Sequence, residues 1–145
     1  MPDLTKSHPS MQLLPVRLRP GDDLRSTLTN AIAARGSEAA FVLSAIGSLV
    51  DCRLRFAQSA DETILTGPFE IISINGSITP GGAHLHMAVS DAQGRVYGGH
   101  VCHGNIVRTT VEAVLILLPG WSLTREPDPA TGYDELVVRC TPGPA

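Results

Sequence analysis

Lysine is nearly missing from this 145-residue chain: of eleven basic side chains only Lys6 is a lysine, and the arginines are scattered singly from Arg17 to Arg139. With a formal net charge of -3 there is no clustered positive charge whose counterion release could drive binding to a phosphate backbone. Cysteine is scarce too. Cys52, Cys102 and Cys140 are odd in number and show no CxxC spacing, which argues against a disulfide framework and for a reducing, cytoplasmic setting. Long apolar runs are absent: the longest, Val111 to Pro119, is interrupted by Glu112 and is far too short to cross a bilayer, so no membrane role is expected. The opening MPDLTKSHPS lacks the cationic start and apolar stretch of a signal peptide. Aromatic residues make up 4% and charged residues 17%, beside 43% hydrophobic, the balance of a globular chain rather than a disordered one. The length suits one domain with its own core, and an oligomer could use any apolar surface left over.

The chain is expected to have a loose tail over 1–10, a single domain over 11–140 and a second tail over 141–145, where two prolines and a glycine cluster. Met11 to Arg19 reads as a strand ending at Pro20-Gly21. Asp22 can then cap a helix that carries Leu24, Leu28 and Ile32 on one face and stops at Gly36. Ala39 to Ile46 and Leu49 to Ala57 read as two strands broken at Gly47-Ser48, the second alternating Cys52, Leu54 and Phe56 against Arg53 and Arg55. Thr63 to Thr79 holds two further strands around Gly67-Pro68. Val111 to Leu118 lacks alternation and reads as a strand covered on both faces, with helix as the alternative. The REPDPATGYDELVV segment reads as turn-rich, leading to a short closing strand. Trp121 is expected to anchor a core or interface, and Cys52 and Cys140 to be buried thiols.

What the chain does have is histidine in one place: four of its five lie in GGAHLHMAVSDAQGRVYGGHVCHG, residues 81–104. Residues two apart on a strand share a face, so His84 and His86 project together while Ala83, Leu85 and Met87 face the core. If Asp91-Ala92-Gln93-Gly94 forms a type I turn with Gly94 left-handed in a G1 bulge, Asp91 falls opposite Arg95, His86 opposite His100 and His84 opposite Cys102. A two-residue loop would break the cluster. Opposed Cβ atoms stand about 4.5–5.5 Å apart, near enough for imidazoles to converge on one ion. Zinc is the first expectation, with iron, nickel or copper as alternatives, and Cys102 is a possible fourth ligand that would make the site structural. The other reading of such histidines is ordinary hydrogen-bonded polar residues. His103 should point the other way.

The segments GPFEIISINGSI, GGAHLHMAVSDAQGRVYGGHV, IVRTTVEAVLIL and TREPDPATGYDELVV resemble the PPC domain of plant and prokaryotic proteins, in its stand-alone bacterial form, from about Val16 to Val138. The resemblance implies an α/β (α+β) domain with a mainly antiparallel sheet and flanking helices, assembled as a homotrimer. It also implies that His84, His86 and His100 match the metal ligands of prokaryotic members, where the ion is often taken to be zinc. In the plant proteins the domain follows a DNA-binding AT-hook and mediates self-association and partner binding. This chain has no RGRP-type hook, and Pro68 stands where the plant partner-contact segment has an arginine.

Three functions follow. The first is a metal-binding trimeric module that acts through binding, as a regulator with a DNA or protein partner. The second is a metal-dependent enzyme whose three-histidine ion activates water or polarises a carbonyl, with Glu112, Asp91 and Arg108 as catalytic candidates. Glu112 could instead simply pair with Arg108, four residues away on the same strand face. The third is direct DNA binding, with trimerisation gathering Arg53 and Arg55.

Overall fold

Alternation of apolar and polar residues runs through most of the chain, and the computed structural model, which describes residues 10–141, turns it into strands. In chain order these elements are β1 (Gln12–Leu18), α1 (Leu24–Ala33), β2 (Ala40–Leu49), β3 (Cys52–Arg55), β4 (Thr63–Leu65), β5 (Phe69–Thr79), β6 (Gly82–Ser90), β7 (Val96–Val101), β8 (Val107–Leu117), β9 (Trp121–Asp128) and β10 (Tyr133–Cys140). Eight strands form one sheet in the order β1-β8-β2-β5-β6-β7-β3-β4, every pair antiparallel, and β9 and β10 form a separate two-stranded ribbon. The expectation of flanking helices is therefore corrected to a single ten-residue helix among the described residues. No helix among them is long and apolar enough to cross a membrane. The expected tails fall almost wholly outside the described residues.

The helix lies on the inner face of the sheet, with Leu24, Leu28 and Ile32 fully buried in one cluster with Ile74, Ile78, Leu85, Val89 and Leu115. Burying a side chain of this size contributes roughly 1.5–3 kcal/mol. Its N-cap is Asp23 rather than the expected Asp22. Asp22 is engaged by the preceding turn: its carboxylate accepts from Arg19 N at 2.7 Å and its carbonyl from Val107 N at 2.9 Å. Asp23 Oδ1 then accepts from Ser26 N at 2.8 Å. Burial alone would raise the Asp23 carboxyl, but the Ser26 and Gly104 backbone donors and nearby His103 outweigh it and hold the group below its usual range.

Gly47-Ser48 does not break a strand. β2 runs through to Leu49, and the interruption comes at Val50-Asp51. Gly47 has φ +151°, and a Cβ there would stand 2.2 Å from the Thr110 carbonyl oxygen, so the glycine allows β2 and β8 to approach where their register shifts. Strand β8 also differs from expectation. Val111, Ala113, Leu115 and Leu117 are buried, Val114 and Ile116 are half-buried and Glu112 is exposed, so only the inner face is fully covered. Its nearly continuous apolarity fits a strand hydrogen-bonded on both sides, by β1 and β2.

The closing segment holds two eight-residue strands instead of one. The turn between them forms where Gly132 N donates to the Asp128 carbonyl at 2.8 Å and Ala130 N to Asp128 Oδ1 at 2.8 Å. Strand β9 was hidden by the polar, proline-bearing REPD run, which a ribbon open to solvent tolerates. Trp121 begins this ribbon half-buried, Cys52 is fully buried, and Cys140, expected inside, is exposed.

Candidate metal centre

The hairpin between β6 and β7 folds through local chemistry. Asp91 N donates to the Arg95 carbonyl and Gly94 N to the Asp91 carbonyl, each at 3.0 Å, with Gly94 at φ +77°. The Asp91 carboxylate ties the turn by accepting from Gln93 N, Arg95 N and Arg95 Nε at 2.9, 2.9 and 2.7 Å. This three-residue loop sets the expected register, and His86 lies opposite His100.

The ladder ends at that pair, so Cys102 does not lie opposite His84 within it. A helix side chain enters instead. Arg25 donates through Nη1 to the Val101 carbonyl and through Nη2 to the Ala83 carbonyl, each at 2.6 Å, and its Nη1 stands 3.3 Å from His100 Nε2. The guanidinium fork thus bridges two carbonyls where the strands part, a geometry suited to its fixed pair of donors. Cys102 is taken up elsewhere: its amide donates to the Arg53 carbonyl at 3.2 Å and its thiol lies 3.8 Å from the His100 carbonyl. It is absent from the group of side chains able to share an ion.

That group is His84, His86 and His100, whose nitrogens all lie within 4.8 Å of one another. His84 Nε2 and His86 Nε2 are 3.2 Å apart. Two ligands on a tetrahedral ion with bonds of about 2.0–2.1 Å stand about 3.3 Å apart, so this pair already has the required spacing. The rings lie 4.9, 5.3 and 5.7 Å apart between centroids and are steeply inclined rather than stacked. His100 Nδ1 is buried without a hydrogen-bond partner, alone among side-chain atoms of the described residues. Such an orphan costs about 1–3 kcal/mol and is consistent with a site built to bind something further.

The surroundings favour the neutral form of two of the rings, His100 and His84. Burial, then the Arg55 and Arg25 guanidinium charges, push His100 down to about 4. Burial, Arg125 and His86 lower His84, with Glu135 opposing them. Neutral imidazole is the form that binds a cation.

His84 and His100 open on a cleft of about 630 Å³, lined also by Arg55, Arg125, Tyr133 and Glu135. Arg125 comes from β9, and its Nη2 lies 3.1 Å from His84 Nδ1 and 3.2 Å from Ser77 Oγ. The catalytic candidates from the sequence do not reach this cleft. Asp91 is committed to its turn, and Glu112 and Arg108 lie on β8, three strands from β6, where both are exposed. No ion pair joins them among the described residues; Arg17 and Ile46 are the ladder partners of Glu112. His103 points away as expected, beside Ser26 and Asp23. Arg25, Arg125 and Glu135 were missed because each comes from an element distant in sequence. The only sequence signal was polar residues crowding the otherwise β-forming REPDPATGYDELVV segment.

Residues 5–119 match the Plants and Prokaryotes Conserved (PCC) domain, the same domain that the sequence resembles under the name PPC. The bifunctional protein GlmU of Synechococcus sp. (strain JA-3-3Ab) is 44% identical over 129 residues, covering 89% of this chain and 21% of its own length. The chain thus spans about a fifth of the curated relatives it matches. A hypothetical protein from Salmonella enterica superposes with a TM-score of 0.88 at 40% identity, over 92% of this chain and 99% of its own. A metal-containing protein from Archaeoglobus fulgidus superposes with a TM-score of 0.73 at 26% identity, over 90% of this chain and 95% of its own.

Proposed function

Because the chain belongs to the Plants and Prokaryotes Conserved domain family, we propose that it is a metal-binding module of that family, with zinc as the expected ion, that assembles as a homotrimer and regulates through binding rather than catalysis. The observation that carries this reading is the convergence of three histidines from one hairpin. The similarity to a metal-containing archaeal protein supports it. His84, His86 and His100 would hold the ion, with Arg25 fixing the strand ends behind them; when bound, the ion supplies a Lewis-acid centre with a coordination position left for a ligand. Self-association is supported by Leu13, Leu43, Ile46 and Ile72, which are exposed on the sheet face turned away from the helix. A cytoplasmic setting is part of the same proposal, and free thiols are compatible with a reducing compartment. Of the partners considered, DNA gains least support, since Arg53 is paired with Glu62 at 3.1 Å and Arg55 lines the cleft.

One observation favours the enzyme reading as the second: a carboxylate, Glu135, and a phenol, Tyr133, line the cleft beside the histidines, where a general acid or base would have to stand. Elemental analysis of untagged protein tests the first reading, alongside a His86→Ala, His100→Ala double variant, with mass by light scattering on both. Near-stoichiometric metal in the wild type alone, with a trimer in both, is the expected result. A wild type that retains no metal even after zinc is added would overturn it.

A further inference from the structure

The three histidines are surrounded by guanidinium groups. Arg55 lies opposite His100 across the β3–β7 ladder, Arg125 touches His84, and Arg25 touches His100. Among the described residues none of these three pairs with a carboxylate, whereas Arg53, Arg95 and Arg139 each do. Arg17, Arg19, Arg35 and Arg108 also lack a carboxylate partner among the described residues, but none of them lines the cleft, whereas Arg55, exposed as they are, does. Arg25 and Arg125 are half-buried, where a cation needs acceptors from its surroundings. Arg25 has two backbone carbonyls. Among the described residues Arg125 has only a hydroxyl and one imidazole nitrogen, and it opens with Arg55 onto the same cleft, whose volume suits a small metabolite.

The contact between Arg125 and His84 depends on where the imidazole proton sits. Guanidinium can only donate, so His84 Nδ1 must accept through its lone pair. A neutral imidazole that gives its Nε2 lone pair to an ion carries its proton on Nδ1. Arg125 would then face a donor and would need another acceptor. An oxoanion in the cleft supplies one, and Arg55 on the opposite side can share it.

We propose that the cleft is an oxoanion site in which Arg55 and Arg125 grip the carboxylate or phosphate group of a small molecule beside the ion held by His84, His86 and His100. The link to the ion rests on the metal-binding reading above; the arginine grip does not. Ion and anion reinforce each other, and by linkage each raises the other's affinity by the same factor. Asp134 and Glu135 also line the cleft and repel a second negative charge, so the favoured ligand carries one anionic group and a neutral or cationic remainder.

Acetate and inorganic phosphate, titrated at constant ionic strength and followed by NMR, serve as probes with zinc-loaded and chelator-treated protein, zinc content being measured in parallel. The variants are Arg125→Gln and Arg55→Gln, with Arg19→Gln as the control on a distant exposed turn. Saturable binding by wild type and control, weakened tenfold or more by either cleft variant and tightened by zinc, is the expected result. Arg55 is exposed, so Arg55→Gln carries the test if Arg125→Gln does not fold. Stoichiometric zinc with no binding of either anion, or binding that both cleft variants leave within twofold, overturns the proposal. Anion binding through Arg55 and Arg125 in a protein that never retains zinc leaves the oxoanion site standing and removes the metal reading instead.

Discussion

Replacing Arg25 tests whether a helix side chain holds the strand ends beneath the histidines. In Arg25→Gln the Val101 and Ala83 carbonyls each lose a 2.6 Å bond from a cationic donor. Hydrogen bonds to charged groups are worth about 1.5–3 kcal/mol each, but this site is only part-buried, and water can reach the carbonyls and recover some of that. A loss of about 2–3 kcal/mol is expected. For a chain of this size that corresponds to a fall in Tm of roughly 5–10 °C. Arg25→Lys, with one compact charge in place of a fork, should recover no more than about half. Urea unfolding at fixed protein concentration, monitored by far-UV circular dichroism, gives the number; fixing the concentration matters because self-association would add to apparent stability. The variant should also weaken zinc binding, since His100 lies one residue from the released Val101 carbonyl. A loss below about 0.5 kcal/mol would show that solvent satisfies both carbonyls and that the parting of β6 and β7 needs no wedge.

Two further perturbations probe the histidines and the sheet. His100 is held at about 4 while an unfolded histidine titrates near 6.5, so the unfolded chain takes up its proton first; stability is complete above pH 6.5 and declines as pH falls through 6.5 to about 4. The whole shift corresponds to roughly 3.4 kcal/mol, and partial exposure screens it to about 1–2 kcal/mol, which urea midpoints of chelator-treated protein at pH 7, 5.5 and 4 should show and His100→Gln should remove. In Gly47→Ala the new methyl group would meet the Thr110 carbonyl oxygen at 2.2 Å and Val111 Cα at 2.7 Å in a backbone conformation that alanine disfavours. A loss of about 3–5 kcal/mol is expected by thermal unfolding, and wild-type stability would mean that β2 and β8 can shift apart at no cost.

The legible part of the structure was its local part. The i, i+2 histidines, the Asp91 to Gly94 turn and the apolar helix face are short-range patterns whose consequences hold wherever the rest of the chain goes, and all appear as read. The misread positions depended on something distant. Gly47 was taken for a breaker because its sequence neighbours cannot show that the β8 backbone passes against it. Asp23 takes the cap from Asp22, whose backbone is held by the distant Val107 N while its carboxylate closes the turn at Arg19 N. The expected facing of His84 and Cys102 failed two pairs beyond the last ladder pair, since hairpin counting assumes that strands stay together and a helix residue some sixty positions away holds them apart. The catalytic candidates lie away from the cleft for a similar reason: Glu112 stood out in an apolar run with Arg108 just before it, and both project from β8 on the side that faces away from the core.

The two halves of the proposed site therefore depend on the sequence in different ways. Its metal ligands come from one hairpin, so their spacing is set by strand periodicity and a single turn. Its anion-binding groups come from β3 and from the β9–β10 ribbon, outside that hairpin. Among the described residues the two strands of the ribbon pair only with each other, so changes at Arg125, Tyr133, Asp134 or Glu135 can alter the cleft without disturbing the ladder that positions the histidines. A family built this way can keep its ion while changing what the ion meets, and similarity in the hairpin then speaks for the metal, whereas similarity in the ribbon speaks for the ligand.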